Sequence, residues 1–176
     1  KARKLTSITI PDSVTQIWSR AFESVSLTSI NIPNTVTVIG NYAFNSAESL
    51  TTIAIPDGVK RINEGVLMYT YALKSVTFGA NSQLTSIGEG AFEHAKALTT
   101  IVIPNGVTSI EKYAFSNAIN LASITIPDWV TIGKNAFKNI SENDSTVYVV
   151  NVSPVTFEDF KVKFNNSTNR TITYVD

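Results

Sequence analysis

His94 is the only histidine in the 176-residue chain, and there is no cysteine. An imidazole can serve as a general base, but only with a nucleophile or a held water within hydrogen-bond reach. His94 lies between Ala91-Phe92 and Leu98, and nothing in the pattern around it supplies such a partner. It reads as a surface residue in a turn. The missing cysteines remove disulfides, thiolate nucleophiles and Cys-ligated zinc. No spacing of His, Asp and Glu matches a metal-ligand set, and Glu158-Asp159 reads as the solvated face of a helix. The glycines are dispersed as turn residues, so no phosphate-cradling loop is present. No catalytic, cofactor-binding or metal-ligating residue is assigned, and the expectation is a non-enzyme.

The bulk properties narrow the classes further. Fourteen Lys+Arg balance 14 Asp+Glu, a net charge of zero that disfavours a nucleic-acid or anionic-membrane surface. Hydrophobic residues make up 43% and charged residues 16%, a folded composition. Apolar runs are only a few residues long, too short to span a bilayer.

The elements that must position any functional residue repeat. Leu5-Thr-Ser-Ile-Thr-Ile-Pro11 recurs from Leu27, Leu50, Leu98 and Leu121, and in degenerate form as Leu73-Lys-Ser-Val-Thr-Phe-Gly79. The starts are 22, 23, 23, 25 and 23 residues apart. The long step comes from two extra residues within Gly79 to Gln83, a loop. Each copy continues with Val-Thr-x-Ile, or a close variant of it, and then Ala-Phe, except the third, which has Val66-Leu67. The apolar period of two in Leu-x-x-Ile-x-Ile predicts a short strand with one buried face. Proline, lacking an N–H, ends it. Pro-Asp-Gly and Pro-Asn-Gly then turn the chain. The Ala-Phe stretch reads as short helical, 3₁₀ or extended, with Phe filling the core. One such unit cannot bury its own edge, but stacked units can, which makes a solenoid.

The repeat Leu-x-x-Ile-x-Ile-Pro-[Asp/Asn]-x-Val-x-x-Ile-Gly-x-x-Ala-Phe resembles the BspA-like, or Treponema pallidum type, leucine-rich repeats over about residues 5 to 140. The resemblance implies a right-handed leucine-rich-repeat superhelix with short parallel strands on the concave face. That family often has Cys three residues after the Phe. Here Val25, Ala47, Thr70, Ala95 and Ala118 stand there, small enough for the same buried slot. Residues 1–140 are read as six repeats and 141–176 as a C-terminal capping segment, strand-helix-strand. The capping helix starts at Ser153-Pro154, with Phe157, Phe160 and Phe164 on its buried face. Leu5 begins in mid-pattern, which points to upstream repeats that Trp18 would have covered.

Function in a solenoid is expected on repeated outward positions. Here they are uncharged and hydroxyl-rich, with Lys74 the one exception. The candidate partner-binding residues are Thr9, Asn31, Lys74, Thr77, Val102 and Thr125 on the strands, and Trp129 in a turn. Tyr42, Tyr69 and Tyr113 are expected to be half-packed. Asn-x-Ser/Thr sequons cluster late, at Asn139, Asn143, Asn151, Asn165, Asn166 and Asn169. The resemblance implies an extracellular or cell-surface adhesion module that binds a protein, such as a host matrix protein or another cell's surface. The alternative is a structural spacer that projects another domain.

Overall fold

The computed structural model describes residues 5–127, 129–140, 146–150 and 171–175. The chain winds as a parallel β-solenoid whose rungs are the sequence repeats. Rungs 1 to 6 occupy 5–26, 27–49, 50–72, 73–97, 98–120 and 121–140.

The strands fall into two stacks. The Leu-x-x-Ile-x-Ile segments give β2 (Ser29–Ile30), β4 (Thr52–Ile55), β6 (Ser75–Phe78), β8 (Thr100–Val102) and β10 (Ser123–Thr125). Further along the chain, β12 (Thr146–Val150) and β13 (Thr171–Val175) extend this stack, each parallel to the strand before it. The Val-Thr-x-Ile segments make a second stack that the sequence reading did not separate. It holds β1 (Gln16–Ile17), β3 (Val38–Ile39), β5 (Arg61–Ile62), β7 (Ser86–Ile87), β9 (Ser109–Ile110) and β11 (Thr131–Ile132). Every pairing is parallel, because each rung returns in the same direction.

The Ala-Phe segments correct the helical expectation: among the described residues there is no helix. These segments are runs of turns in which alternate residues bond in two directions. Ala43 and Asn45 donate back within the turn, to Gly40 and Tyr42 carbonyls. Tyr42, Phe44 and Ser46 donate to the next rung, to the carbonyls of Glu64, Val66 and Met68. A helix would have spent all these donors inside one rung. The alternation needs two left-handed residues flanking Ala-Phe in every rung. They are Arg20 and Ser24, Tyr42 and Ser46, Gly65 and Tyr69, Gly90 and His94, Tyr113 and Asn117, Asn135 and Asn139. Gly and Asn adopt this conformation easily, whereas a tyrosine is strained in it.

The core is continuous through the stack. Phe92, Phe115 and Phe137 stack nearly parallel, at 4.9 and 5.4 Å between centroids. Leu67 replaces one ring and is fully buried. The slot after the Phe is buried in every rung, and Thr70 fills it by donating its hydroxyl to the Leu67 carbonyl at 2.7 Å. The expected helix from Ser153 to Asn165 lies outside the described residues, as does most of the segment read as a cap.

Candidate functional site

The first stack is interrupted once among its described strands. β2-β4-β6 form one ladder and β8-β10-β12-β13 another, with no pairing between β6 and β8. The interruption falls at the irregular rung. There Phe78-Gly79 stands in place of Ile-Pro, and Gly79 to Gln83 carries the two extra residues. Asp57 reaches across to this loop: its backbone carbonyl accepts from the Gln83 N–H at 2.9 Å. Its carboxylate lies against Gly79, where a Cβ would meet it at 1.9 Å.

An open groove of about 490 Å³ runs over the break. Ser75, Thr77, Phe78 and Gly79 line one side, and Thr100, Val102, Pro104 and Asn105 the other. No charged residue lines it. Val102 is 63% exposed, and Phe78 is half-buried where the regular rungs hold a buried Ile.

The predicted partner-binding residues distribute around this groove. Thr77 and Val102 face it from opposite sides. Ala54 pairs with Thr77 and Thr125 with Val102, so the fifth strand positions form one column along the stack. Thr9, Asn31 and Lys74 are exposed but are not gathered into the groove. Trp129 is 58% exposed, and its indole Nε1 donates to the Val107 carbonyl at 3.1 Å. Its ring is thereby pinned to the preceding rung, as a fixed anchor would be. Trp18, expected as a cover, is 75% exposed. Sequence reasoning passed over Phe78, Gly79, Pro104 and Asn105 as site residues. Their signal was the lost Ile-Pro and the 25-residue step at one rung.

Titratable groups gather elsewhere, on the turn face. Tyr69 stacks on His94 at 4.9 Å, and Asn117 Nδ2 approaches His94 Nε2 at 3.5 Å. His94 is half-buried, not a free surface residue, and its Nδ1 is buried with no hydrogen-bond partner. Burial, then the Lys96 charge, lowers its pKa from the ordinary 6.5. Burial, then Glu89, raises that of Glu93. The Tyr42 hydroxyl donates to Glu64, which holds the phenol above its usual range. Lys112 lies 3.0 Å from Glu89. Among the described residues, the side chains placed against His94 are Tyr69 and Asn117, neither of which is a positioned nucleophile. Among the described residues no group of three His, Cys, Asp or Glu could hold a metal ion, and no helix is long and apolar enough to cross a membrane.

A family model for the BspA type leucine-rich repeat region matches six copies, over residues 1–84 and 76–173. Among proteins of curated function, none matches. A leucine-rich repeat protein of Bacteroides ovatus superposes with a TM-score of 0.73 at 21% identity, over 98% of this chain. The chain spans 48% of that protein's length. The T. pallidum leucine-rich repeat protein superposes with a TM-score of 0.67 at 24% identity, over 85% of this chain and 76% of its own. A protein of Faecalibacterium prausnitzii, described as a leucine-rich cell surface protein, is 25% identical, with a TM-score of 0.47 over 95% of this chain and 57% of its own.

Proposed function

Because the chain belongs to the BspA-type leucine-rich repeat family, we propose that it is a non-catalytic protein-binding module displayed at a cell surface or secreted. Its partners on this reading are proteins of an extracellular matrix or of another cell's surface. The observation that carries the reading is the uncharged groove between Thr77 and Val102, on a column of outward-facing strand residues. Desolvating such a face costs little, and Trp129 adds a large, pre-positioned apolar surface of the kind that anchors interfaces. Residues 141–176 act, on the same reading, as the terminal segment that covers rung 6.

The reading is tested by a label-free binding screen against matrix and serum proteins, fibronectin and fibrinogen among them. Saturable binding weakened about tenfold or more by Trp129→Ala or Lys74→Glu supports it, a loss typical of an interface anchor. The spacer reading is favoured by the small hydroxyl side chains that dominate the rest of the strand face. A folded protein that captures nothing in the screen would establish that reading instead.

A further inference from the structure

We propose that the groove over β6 and β8 is a binding site for a neutral, linear, β-1,4-linked oligosaccharide. The proposal rests on the surface-module reading and names the part of a partner that this groove holds, its glycan.

β6 and β8 lie directly beside each other, so the groove is a trough over side chains, not a gap between strands. Its occupant is therefore recognised by side-chain groups. The trough also continues past the break. A second recess of about 260 Å³, with Asn34, Ala54 and Asp57 in its wall, shares Thr77, Phe78 and Gly79 with the larger groove. Together the two run along the stack from rung 2 to rung 5, beside the turns that follow the first strands. The irregular rung opens the middle. Phe78-Gly79 replaces Ile-Pro there, which takes away the proline ring and puts a half-buried aromatic side chain where the two recesses join.

A sugar ring has two kinds of surface, a face of C–H groups and a rim of hydroxyls. The face packs on aromatic and apolar side chains, and the rim exchanges hydrogen bonds with hydroxyls and amides. The trough offers both. Phe78 and Val102 are its apolar surfaces, and Val102 is 63% exposed. The Ser75, Thr77 and Thr100 hydroxyls and the Asn34 and Asn105 amides stand around them. Such groups donate and accept, so they can serve a sugar hydroxyl in either sense. No charged side chain lines the larger groove, and Asp57 is the single one in the smaller. A charged ligand would lose hydration over most of the trough without gaining an ion pair, which selects a neutral one. The linkage follows from the pitch. Rungs repeat about every 4.8 Å along the stack, and a β-1,4-linked chain advances by nearly that distance per sugar. Laid along the trough, such a chain meets one rung per ring.

The probes are cellotetraose, β-1,4-mannotetraose and chitotetraose, three neutral chains that share the linkage. Each is titrated into the ¹⁵N-labelled full chain and followed by NMR. The expected result, with at least one of them, is saturable shifts of the Thr77, Phe78, Gly79, Val102 and Asn105 amides. The affinity should be the same at low and high salt, because no ion pair is used. Phe78→Leu keeps an apolar side chain against the core and removes the aromatic face, and should weaken binding about tenfold. Thr77→Val and Asn105→Ala each remove a hydrogen-bonding group and should each weaken it by about threefold to tenfold. Val102→Lys should abolish binding, and Thr9→Lys, on the same face in rung 1, should leave it unchanged. Absence of shifts at these amides with all three chains at millimolar sugar overturns the site, as does binding that both Phe78→Leu and Val102→Lys leave intact. Sugar binding without capture of any protein in the screen keeps the site and sinks the protein-partner reading. A protein hit that survives Val102→Lys and removal of the partner's glycans, with no sugar shifts, does the reverse.

Discussion

His94 is a residue whose environment the sequence could not convey. Its surroundings came from three successive rungs, which bring Tyr69 and Asn117 to it from 25 and 23 residues away. The stack holds the imidazole neutral, and the sign of the pH effect follows. The folded pKa lies below 6.5, so the unfolded chain takes up the proton first. Stability is undiminished above about pH 6.5 and falls as pH drops from there through the lowered folded pKa. Glu93 acts oppositely: its raised pKa means that protonation in mild acid stabilises the fold. His94→Asn keeps a residue suited to the left-handed backbone at this position and removes the first effect. Melting temperatures at pH 7 and pH 5 should fall less, or rise, in this variant. An unchanged difference between the two pH values would refute the assignment. The tyrosines Tyr42, Tyr69 and Tyr113 were legible as half-packed residues, and all three are half-buried. Their left-handed conformation was hidden, because nothing in their residue type favours it.

Strands were legible in rungs 2 to 6, since period two survives in four residues, whereas Leu5 to Ile10 alternates in the same way and forms no strand. The turn segments were not. Ala-Phe with apolar neighbours three and four residues away has helical spacing, yet its donors go to the next rung. That competition is settled by stacking, which no single repeat displays. A subtler element-scale pattern lies at the corner after Val-Thr-x-Ile. Down the stack this corner reads Trp18, Gly40, Asn63, Gly88, Glu111, Gly133, so glycine occupies every second rung. Each of these glycines seats directly on backbone of the rung before. A Cβ on Gly88 would lie 2.8 Å from the Ile62 carbonyl oxygen and 2.9 Å from the Asn63 carbonyl carbon. Gly88→Ala is therefore expected to destabilise by about 1–3 kcal/mol, because backbone cannot yield as a side chain can. At Gly58 a Cβ would meet only the Thr37 methyl, at 3.1 Å, and Gly58→Ala should cost less than about 0.5 kcal/mol. Urea denaturation of the two variants separates the cases. Equal losses would mean that the corner is not the tight contact.

At the scale of the whole molecule, the solenoid is a row of joints between rungs. Each joint can be closed by three ladders: first strands, second strands and the Ala-Phe turns. Rungs 3 and 4 have all three, and so do rungs 5 and 6. Rungs 2 and 3 lack pairing between β3 and β5, although the Asn63 amide donates to the Ile39 carbonyl there at 2.6 Å. Rungs 4 and 5 lack the β6–β8 pairing. Rungs 1 and 2 also lack a first-strand pairing, since no strand forms over residues 5–10; of the three incomplete joints, two have Asn63 or Glu111 at the later rung's corner and the third has Gly40. The repeat count and the irregular rung could be read from the sequence. The grouping of rungs could not, because it depends on which backbone groups meet across the stack. This grouping has a mechanical meaning for a chain under tension. Hydrogen bonds between rungs point along the stacking direction, so a pull in that direction loads the joints in series, each carrying the whole force. The joint with fewest ladders yields first. Optical-tweezer handles placed on rungs 4 and 5 should part at lower force than handles on rungs 3 and 4. The reverse order would contradict the ladder count. A stretched chain would therefore part into blocks, rungs 3 with 4 and rungs 5 with 6, before those blocks themselves come apart.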